Sequence, residues 1–354
     1  MDLLNIAQEA NGIDGVFIKD KELPPIIPNR VLIADADSFA YDNADLNTSV
    51  NKCFENLEIQ IETLRLLAGA EKVELHLTMG NKGGRYEIAQ HKEYQGNRKN
   101  RDPLLQARVK ELRLMMSKIE SDIVIAIIHK DQEADDGCAQ RMYADKDTGN
   151  FVLLSVDKDL WMIGGLHMHP KTYDITEYPW GYGETYLDTE NYSTKKVIGK
   201  GTSFFWHQLL MGDTADNIQG LPTFGKDVTN RHFPTKPMLR ALEKASASDW
   251  PEDKVVPLDR YDRLAAAQKP KKCGPVAVAE YLADCKTDLE AFKKVKEAYR
   301  SHYGEGVNPY TKWDGTEAKA TVGHHLLTEA RLLWMRRTVG EDVLTFFKEV
   351  IGND

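Results

Sequence analysis

The sequence predicts an α/β fold built on a mostly parallel sheet, and three observations predict it. Short β-branched or apolar runs at Arg30–Ala34, Lys72–Thr78, Ile123–Ile128 and Phe151–Val156 alternate with segments of helical spacing. The last two runs are joined by a helical stretch to about Asp145, which is the pattern of a βαβ unit. Carboxylates then gather where the strands end: Asp35 and Asp37, Glu133, Asp135 and Asp136, and Asp157 and Asp159. Ligands of parallel sheets collect just beyond the carboxyl ends of the strands. We therefore expect the Glu133 and Asp157 clusters to face each other on adjacent strand ends. So many anions in one dry site need cations, and hard carboxylate oxygens without His or Cys suit Mg²⁺ or Mn²⁺. Acids capping a helix and a solvated Asp-Lys-Asp turn are the plain structural alternatives for each cluster taken singly.

The elements follow in order. Residues 1–29 read as an extension, in which Leu23–Pro28 is an extended lead-in. After the first strand, Ser38 is assigned as a helix cap and Asp35 is kept for the site. Thr48–Ala70 places Phe54, Leu57, Ile61, Leu64 and Leu67 on one helical face. Lys72–Thr78 alternates, with His76 on its polar side, and a lone His reads as structural.

Residues 80–118 change character. Lys82, Arg85, Lys92, Arg98, Lys99, Arg101, Arg108, Lys110, Arg113 and Lys118 outnumber the acids, with Tyr86, His91 and Tyr94 interleaved. This is a local positive field of the kind that captures phosphates, and its aromatics are suited to stacking on bases. A solvated helix surface is the alternative. Gly83-Gly84 and Gly96-Asn97 predict a mobile first half.

Beyond the βαβ unit, Gly164–Thr194 reads as a hairpin or edge strands and Ser203–Met211 as a helix. Asp213 and Asp216 are three residues apart, so on a helical turn they face the same way. Gly220 and Gly225 permit a tight turn whose amides approach a phosphate. Residues 227–272 are polar and proline-broken, and read as an insertion with one short helix. Helices are predicted near Gly274–Ala283, Asp288–Tyr303, Glu317–Arg337 and Glu341–Val350.

Composition sets the outer bounds. A chain of 354 residues with 42% hydrophobic and 29% charged residues has room for a proper core and a soluble surface. No apolar run is long enough to span a membrane, and the start lacks the features of a secretory leader. Four scattered cysteines without a CxxC pair argue for a reducing cytoplasm and against structural zinc. A net charge of −9 looks wrong for a nucleic-acid binder, but a carboxylate metal site supplies many of those negatives, so distribution matters more.

Four motifs now stand in order: Leu32-Ile-Ala-Asp35-Ala-Asp37, Glu133-Ala-Asp135-Asp136, Ser155-Val-Asp157-Lys-Asp159 and Met211-Gly-Asp213-Thr-Ala-Asp216-Asn-Ile218. Each is short, but together, from about Arg30 to Cys285, they resemble the 5′-nuclease/flap endonuclease family, and most of all the short phage 5′→3′ exonucleases. The resemblance implies a PIN-like sheet at 30–200 and a helical domain at 201–354. Glu93-Tyr94-Gln95-Gly96-Asn97-Arg98 resembles the helical arch through which a 5′ strand passes, which implies an arch at about 80–118. A helix–three-turn–helix module would run from Asp216 to Gly225 and continue at Gly274–Leu282, gripping the duplex backbone, with K⁺ often bound. The insertion falls inside it.

The resemblance further implies two-ion phosphodiester hydrolysis in an infected host's cytoplasm by a monomer. Asp35, Glu133, Asp135 and Asp136 would serve one Mg²⁺ or Mn²⁺, and Asp157, Asp159, Asp213 and Asp216 the other. Arg85 and Arg98 would neutralise developing charge and, together with Lys92, Tyr94, Lys99, Arg101, Gly220, Gly225 and Lys226, would contact DNA. The substrates implied are duplex DNA with a 5′ end or flap, and RNA primers paired to DNA. Two departures weaken the expected activity. Gln95 stands where the arch usually has Lys, and Met79 follows a second strand that usually ends in Asp. A PIN-type ribonuclease and a catalytically weak structure-binding scaffold of a replication complex are the rival readings.

Overall fold

The computed structural model describes residues 23–189, 195–225 and 270–352. The expectations placed on Lys226, most of the 227–272 insertion and the first part of the 1–29 extension lie outside them.

Six strands form the central sheet: β1 (Val31–Asp35), β2 (Lys72–Thr78), β3 (Val124–His129), β4 (Phe151–Leu154), β5 (Gly165–Met168) and β6 (Ile175–Tyr178). Their order is β3-β2-β1-β4-β5-β6, and every pairing is parallel except β5 with β6. This is a mostly parallel sheet flanked by helices, as the strand runs predict. One face carries α1 (Asp37–Asp42) and α2 (Val50–Leu67), later joined by α4 (Pro103–Met116). The predicted stripe of α2 is its buried face: Leu57, Ile61, Leu64 and Leu67, with Cys53. Ser49 caps it by accepting the Lys52 N–H at 3.3 Å. Between β2 and α4 lie a single helical turn, α3 (Arg85–Ile88), and a 3₁₀ turn at Gly96–Asn100.

Two expectations are corrected here. The Glu133 and Asp157 clusters do not stand on adjacent strands, because β2 and β1 lie between β3 and β4. Instead α5 (Ala134–Ala144) crosses both strands, packing on β1, β2 and β4, and so brings Glu133 back to the sheet's centre. The order of strands reverses between β1 and β4, and such a switch point opens a crevice at the carboxyl edge. Nor does β2 have a polar side. Glu74 and His76 are buried, because helices cover both faces of a central parallel strand. His76 stacks on His129, with Nδ1 and Nε2 at 2.9 Å, and Glu74 is held by Arg141 at 2.6 Å.

The remainder of the chain packs around α6 (Thr202–Met211), which is buried on all sides from Thr202 to Leu210. A helix buried all round belongs in a core, and its polar side chains Thr202, His207 and Gln208 are bonded inside it. Around it stand α7 (Pro275–Leu282), α8 (Asp288–Tyr303), α9 (Val322–Leu333) and α10 (Val343–Ile351). One continuous core joins Ile33 and Leu153 of the sheet to Phe205, Trp206, Trp334 and Phe347. Two hairpins complete the fold: β7 (Glu184–Asp188) with β8 (Lys196–Lys200), and β9 (Val307–Thr311) with β10 (Glu317–Thr321). The second replaces the start of the helix predicted at Glu317. Thr321, accepting the His324 N–H at 3.3 Å, caps α9 and fixes its first turn there.

Candidate active site

A cleft of about 670 Å³ opens at the switch point. Asp35 and Asp37 line it from the end of β1 and the start of α1, Glu133 and Asp135 from the start of α5, and Asp157 from the turn after β4. Asp216 comes from the turn after α6. The acids separated in sequence thus share one space, while Asp136, Asp159 and Asp213 stand behind it.

Local bonding fixes each acid. Asp35 accepts the Ser155 hydroxyl at 3.1 Å, and Ser38, far from capping α1, donates its own hydroxyl to the Asp35 carbonyl at 3.0 Å. Asp37 accepts the Thr78 N–H at 3.2 Å and lies 3.2 Å from Arg113. Thr78 in turn accepts the Ala134 N–H at 2.9 Å, so the end of β2 holds the first turn of α5. Asp157 caps the following 3₁₀ turn by accepting the Asp159 N–H at 2.9 Å. The expected pairing of Asp213 with Asp216 on a helical turn does not occur, because residues 213–218 form a tight reversal closed by the Asp213 and Ile218 backbones. Asp213 faces inward to Lys158 at 2.7 Å, and Asp216 faces the 93–98 segment.

Cations inside the protein take up several carboxylates. Glu133 meets Lys82 and Arg85, each at 2.7 Å, and the Tyr94 hydroxyl at 2.8 Å. Arg85, 1% exposed, also grips the fully buried Asp136 at 3.0 and 3.2 Å. Asp136 further accepts the Arg336 N–H at 3.0 Å. Arg85 and Tyr94 are therefore corrected from DNA-contacting to internal groups: buried acids need their donors, and neither side chain reaches solvent. Asp159 is held by Lys158 at 3.0 Å and by Gln208 at 2.5 Å. Gln95 ties its own segment to the turn, bonding Asp216 through its side chain at 3.0 Å and its backbone N–H at 2.8 Å. Arg98 pairs with Asp216 and lines the cleft, as does Arg101, which rests on the Tyr41 ring. Lys92 is exposed and does not line it, and Lys99 is engaged with Glu93 at 2.7 Å.

Asp35, Asp135 and Asp157 have no ion-pair partner among the described residues, and their electrostatics reflect it. Burial, with Asp37 nearby, raises Asp35 to about 7. Burial raises Asp157 to about 6, Asp216 and Asp35 adding to it against Lys158. Asp135 is pushed well above the carboxylate range by burial, then by Glu133, Asp136 and Asp157. Glu133 goes the other way, because Arg85 and Lys82 outweigh its burial. Among the described residues no three Asp, Glu, His or Cys side chains form a ready-made ligand set. The chemistry of the three mutually repelling oxygen donors nevertheless suits a hard divalent cation.

The glycine turn is also corrected. Gly220 has a φ of +64°, and an added Cβ would stand 2.2 Å from the Gly212 nitrogen, so its glycine serves close packing of backbone. Its N–H donates to Glu329 at 2.9 Å and is not offered to a phosphate. Gly225, φ +76°, packs against Ser301 in the same manner. Sequence reasoning placed Lys82 and Arg113 only in a general positive field and gave no role to Lys158 as a cation or to Lys196, yet all four line the cleft. Lys158, flanked by two aspartates, was legible as a counter-ion; Lys196 gave no signal.

No protein-family model and no curated protein sequence matches the chain. Solved structures are similar to it at low identity. A bacteriophage T5 5′-exonuclease with bound zinc has 14% identity and a TM-score of 0.44, covering 91% of this chain and 98% of its own. A T5 flap endonuclease in a pseudo-enzyme–product complex with DNA and metal ions has 15% identity and a TM-score of 0.41, covering 86% and 99%. A further T5 protein crystallised with metal ions has 16% identity and a TM-score of 0.41, covering 77% and 93%. Over most of its length the chain is similar to bacteriophage T5 nuclease structures.

Proposed function

We propose that the protein hydrolyses phosphodiester bonds in DNA from 5′ ends or at 5′ flaps, with Mg²⁺ or Mn²⁺ as cofactor. The observation that carries this reading is the grouping of Asp35, Asp135 and Asp157, without a paired cation among the described residues, at the switch point of the sheet. These three would hold the metal, directly or through water, with Glu133 and Asp216 at the edges. When bound, divalent ions at such a site lower the pKa of water and stabilise a leaving oxygen. Asp136, Asp159 and Asp213 orient the site from behind through Arg85 and Lys158. Arg98, Arg101, Arg113, Lys82 and Lys196 line the cleft and would neutralise the substrate's phosphates. Backbone contacts read no bases, so no sequence preference is expected. A K⁺ ion at the 216–225 turn, RNA–DNA hybrids as substrates and a role in phage replication belong to the same proposal.

The second reading, a structure-binding scaffold, is favoured by one observation. Gln95, standing where a cation is expected, is buried and bonded to Asp216.

A 5′-end-labelled flap duplex, incubated with and without Mg²⁺, decides between them. We expect metal-dependent release of the label as nucleotides or short flaps, and a loss of about 10³-fold or more in Asp157→Ala with DNA binding kept. Tight binding without product, in Mg²⁺ and Mn²⁺ alike, establishes the scaffold. Preferential cleavage of single-stranded RNA establishes a ribonuclease.

A further inference from the structure

Outside the acidic cleft, α8, α9 and α10 enclose an open groove of about 610 Å³. Phe292 of α8, Leu326 of α9, and Leu344 and Phe347 of α10 form its floor. Helical periodicity draws two lines of side chains along it. Phe292, Lys296 and Arg300 follow one another at four-residue steps on α8, and Leu344, Lys348 and Ile351 share a face of α10. Leu344 and Ile351 are 38% and 45% exposed, although α10 has inward positions filled by Val343, Phe346 and Phe347. Apolar side chains on an outer line, rather than scattered singly, mark an interaction surface.

Charge indicates the occupant. The chain has a net charge of −9, yet this groove has Lys296, Arg300 and Lys348 along its edge against a single acid, Glu305. The Arg300–Glu305 contact is 3.5 Å long between side chains 59% and 80% exposed, too wet to neutralise the arginine. Lys296 stands over the Phe292 ring at 5.9 Å, its charge beside the apolar floor. An apolar trough between cationic edges complements a helix or extended segment with bulky apolar anchors flanked by carboxylates.

We propose that this groove docks a short acidic amphipathic segment of a partner protein. Its apolar side chains fill the floor between α8 and α10, and its carboxylates meet Lys296, Arg300 and Lys348.

Fluorescence anisotropy of the full chain tests this with two labelled synthetic peptides. One combines Leu and Phe with Glu, and the other replaces each Glu with Lys. We expect the Glu peptide to bind and the Lys peptide to bind at least about tenfold more weakly. Lys296→Glu combined with Lys348→Glu reverses that preference, and Leu344→Ser, at an exposed position, weakens the Glu peptide by about tenfold. Flap cleavage stays unchanged in these variants, which separates them from damage to the acidic cleft. Equal binding of the two peptides, no binding of either, or affinity that survives charge reversal overturns the proposal. So does a concentration-dependent dimer that Leu344→Ser dissolves, which assigns the face to a second copy of the chain.

Discussion

At the scale of single residues, Asp35 and Asp157 combine two needs that conflict until a cation arrives. Burial and mutual repulsion raise them to about 7 and about 6, so each holds a proton in the folded, metal-free protein at pH values where the unfolded chain has lost it. The sign follows. A carboxyl whose folded pKa is raised contributes stability that is complete below its unfolded pKa and is lost as pH rises through the folded value. The half-buried His129 and the buried His167, both lowered to about 4 by burial, act in the opposite direction, losing stability as pH falls from 6.5 toward 4. The metal-free profile therefore mixes both. The Mg²⁺-induced rise in Tm does not, because Mg²⁺ competes directly with the carboxyl protons. That rise should be large at pH 8 and small at pH 5.5, and Asp35→Asn should flatten the difference. An equal rise at both pH values contradicts the metal assignment. The acids themselves were legible in sequence, since strands ending in carboxylates are a short-range pattern. The roles of Arg85 and Tyr94 were not, because a cation in a basic segment looks the same whether it faces a phosphate or a buried Asp136.

At the scale of elements, α5 is the piece on which the site depends. Thr78 holds its first turn, Arg85 binds Glu133 and Asp136 near its start, and the His76–His129 stack presses against its glycine. A Cβ on Gly137 would stand 2.1 Å from His129 and 2.7 Å from His76, so only glycine lets the helix lie this close to β2 and β3. Removing Arg85 leaves two buried carboxylates short of their cation. We expect Arg85→Ala to lower stability by about 3–5 kcal/mol in denaturant titration, and to reduce cleavage even where the variant is folded. A variant as stable as the parent shows that α5 is held by other means. The strands, α2, α6 and α8 could be read from periodicity and caps. The β9–β10 hairpin could not, because the apolar positions of Glu317–Thr321 are only Ala318 and Ala320, a pattern too weak to set it apart from the helical run that follows.

At the scale of the molecule, an acidic chain presents a mixed cleft. The carboxylates at its base are bordered by Lys82, Arg98, Arg101, Arg113, Lys158 and Lys196, which are spread over more than a hundred residues of sequence. Binding of duplex DNA should therefore weaken steeply with salt despite the net charge of −9. Lys196→Ala should reduce the slope of log K against log salt by about 0.9, the effect of one lost phosphate contact. An unchanged slope removes Lys196 from the DNA path. The strand order escaped the sequence for a related reason: successive runs announce a parallel sheet, but not that α5 carries the chain across two strands.

The grip on Asp136 also has a consequence in time. Trp334 and Arg336, whose backbones meet Arg85 and Asp136, are made some two hundred residues after the acid that they help to secure. While a ribosome is still making the chain, the aspartates of β1, α5 and the β4 turn already exist, as do Thr78 and Arg85, but the Arg336 N–H that completes the bonding of Asp136 does not. Translation order thus leaves the bonding of Asp136 incomplete until residues 334–336 have been made.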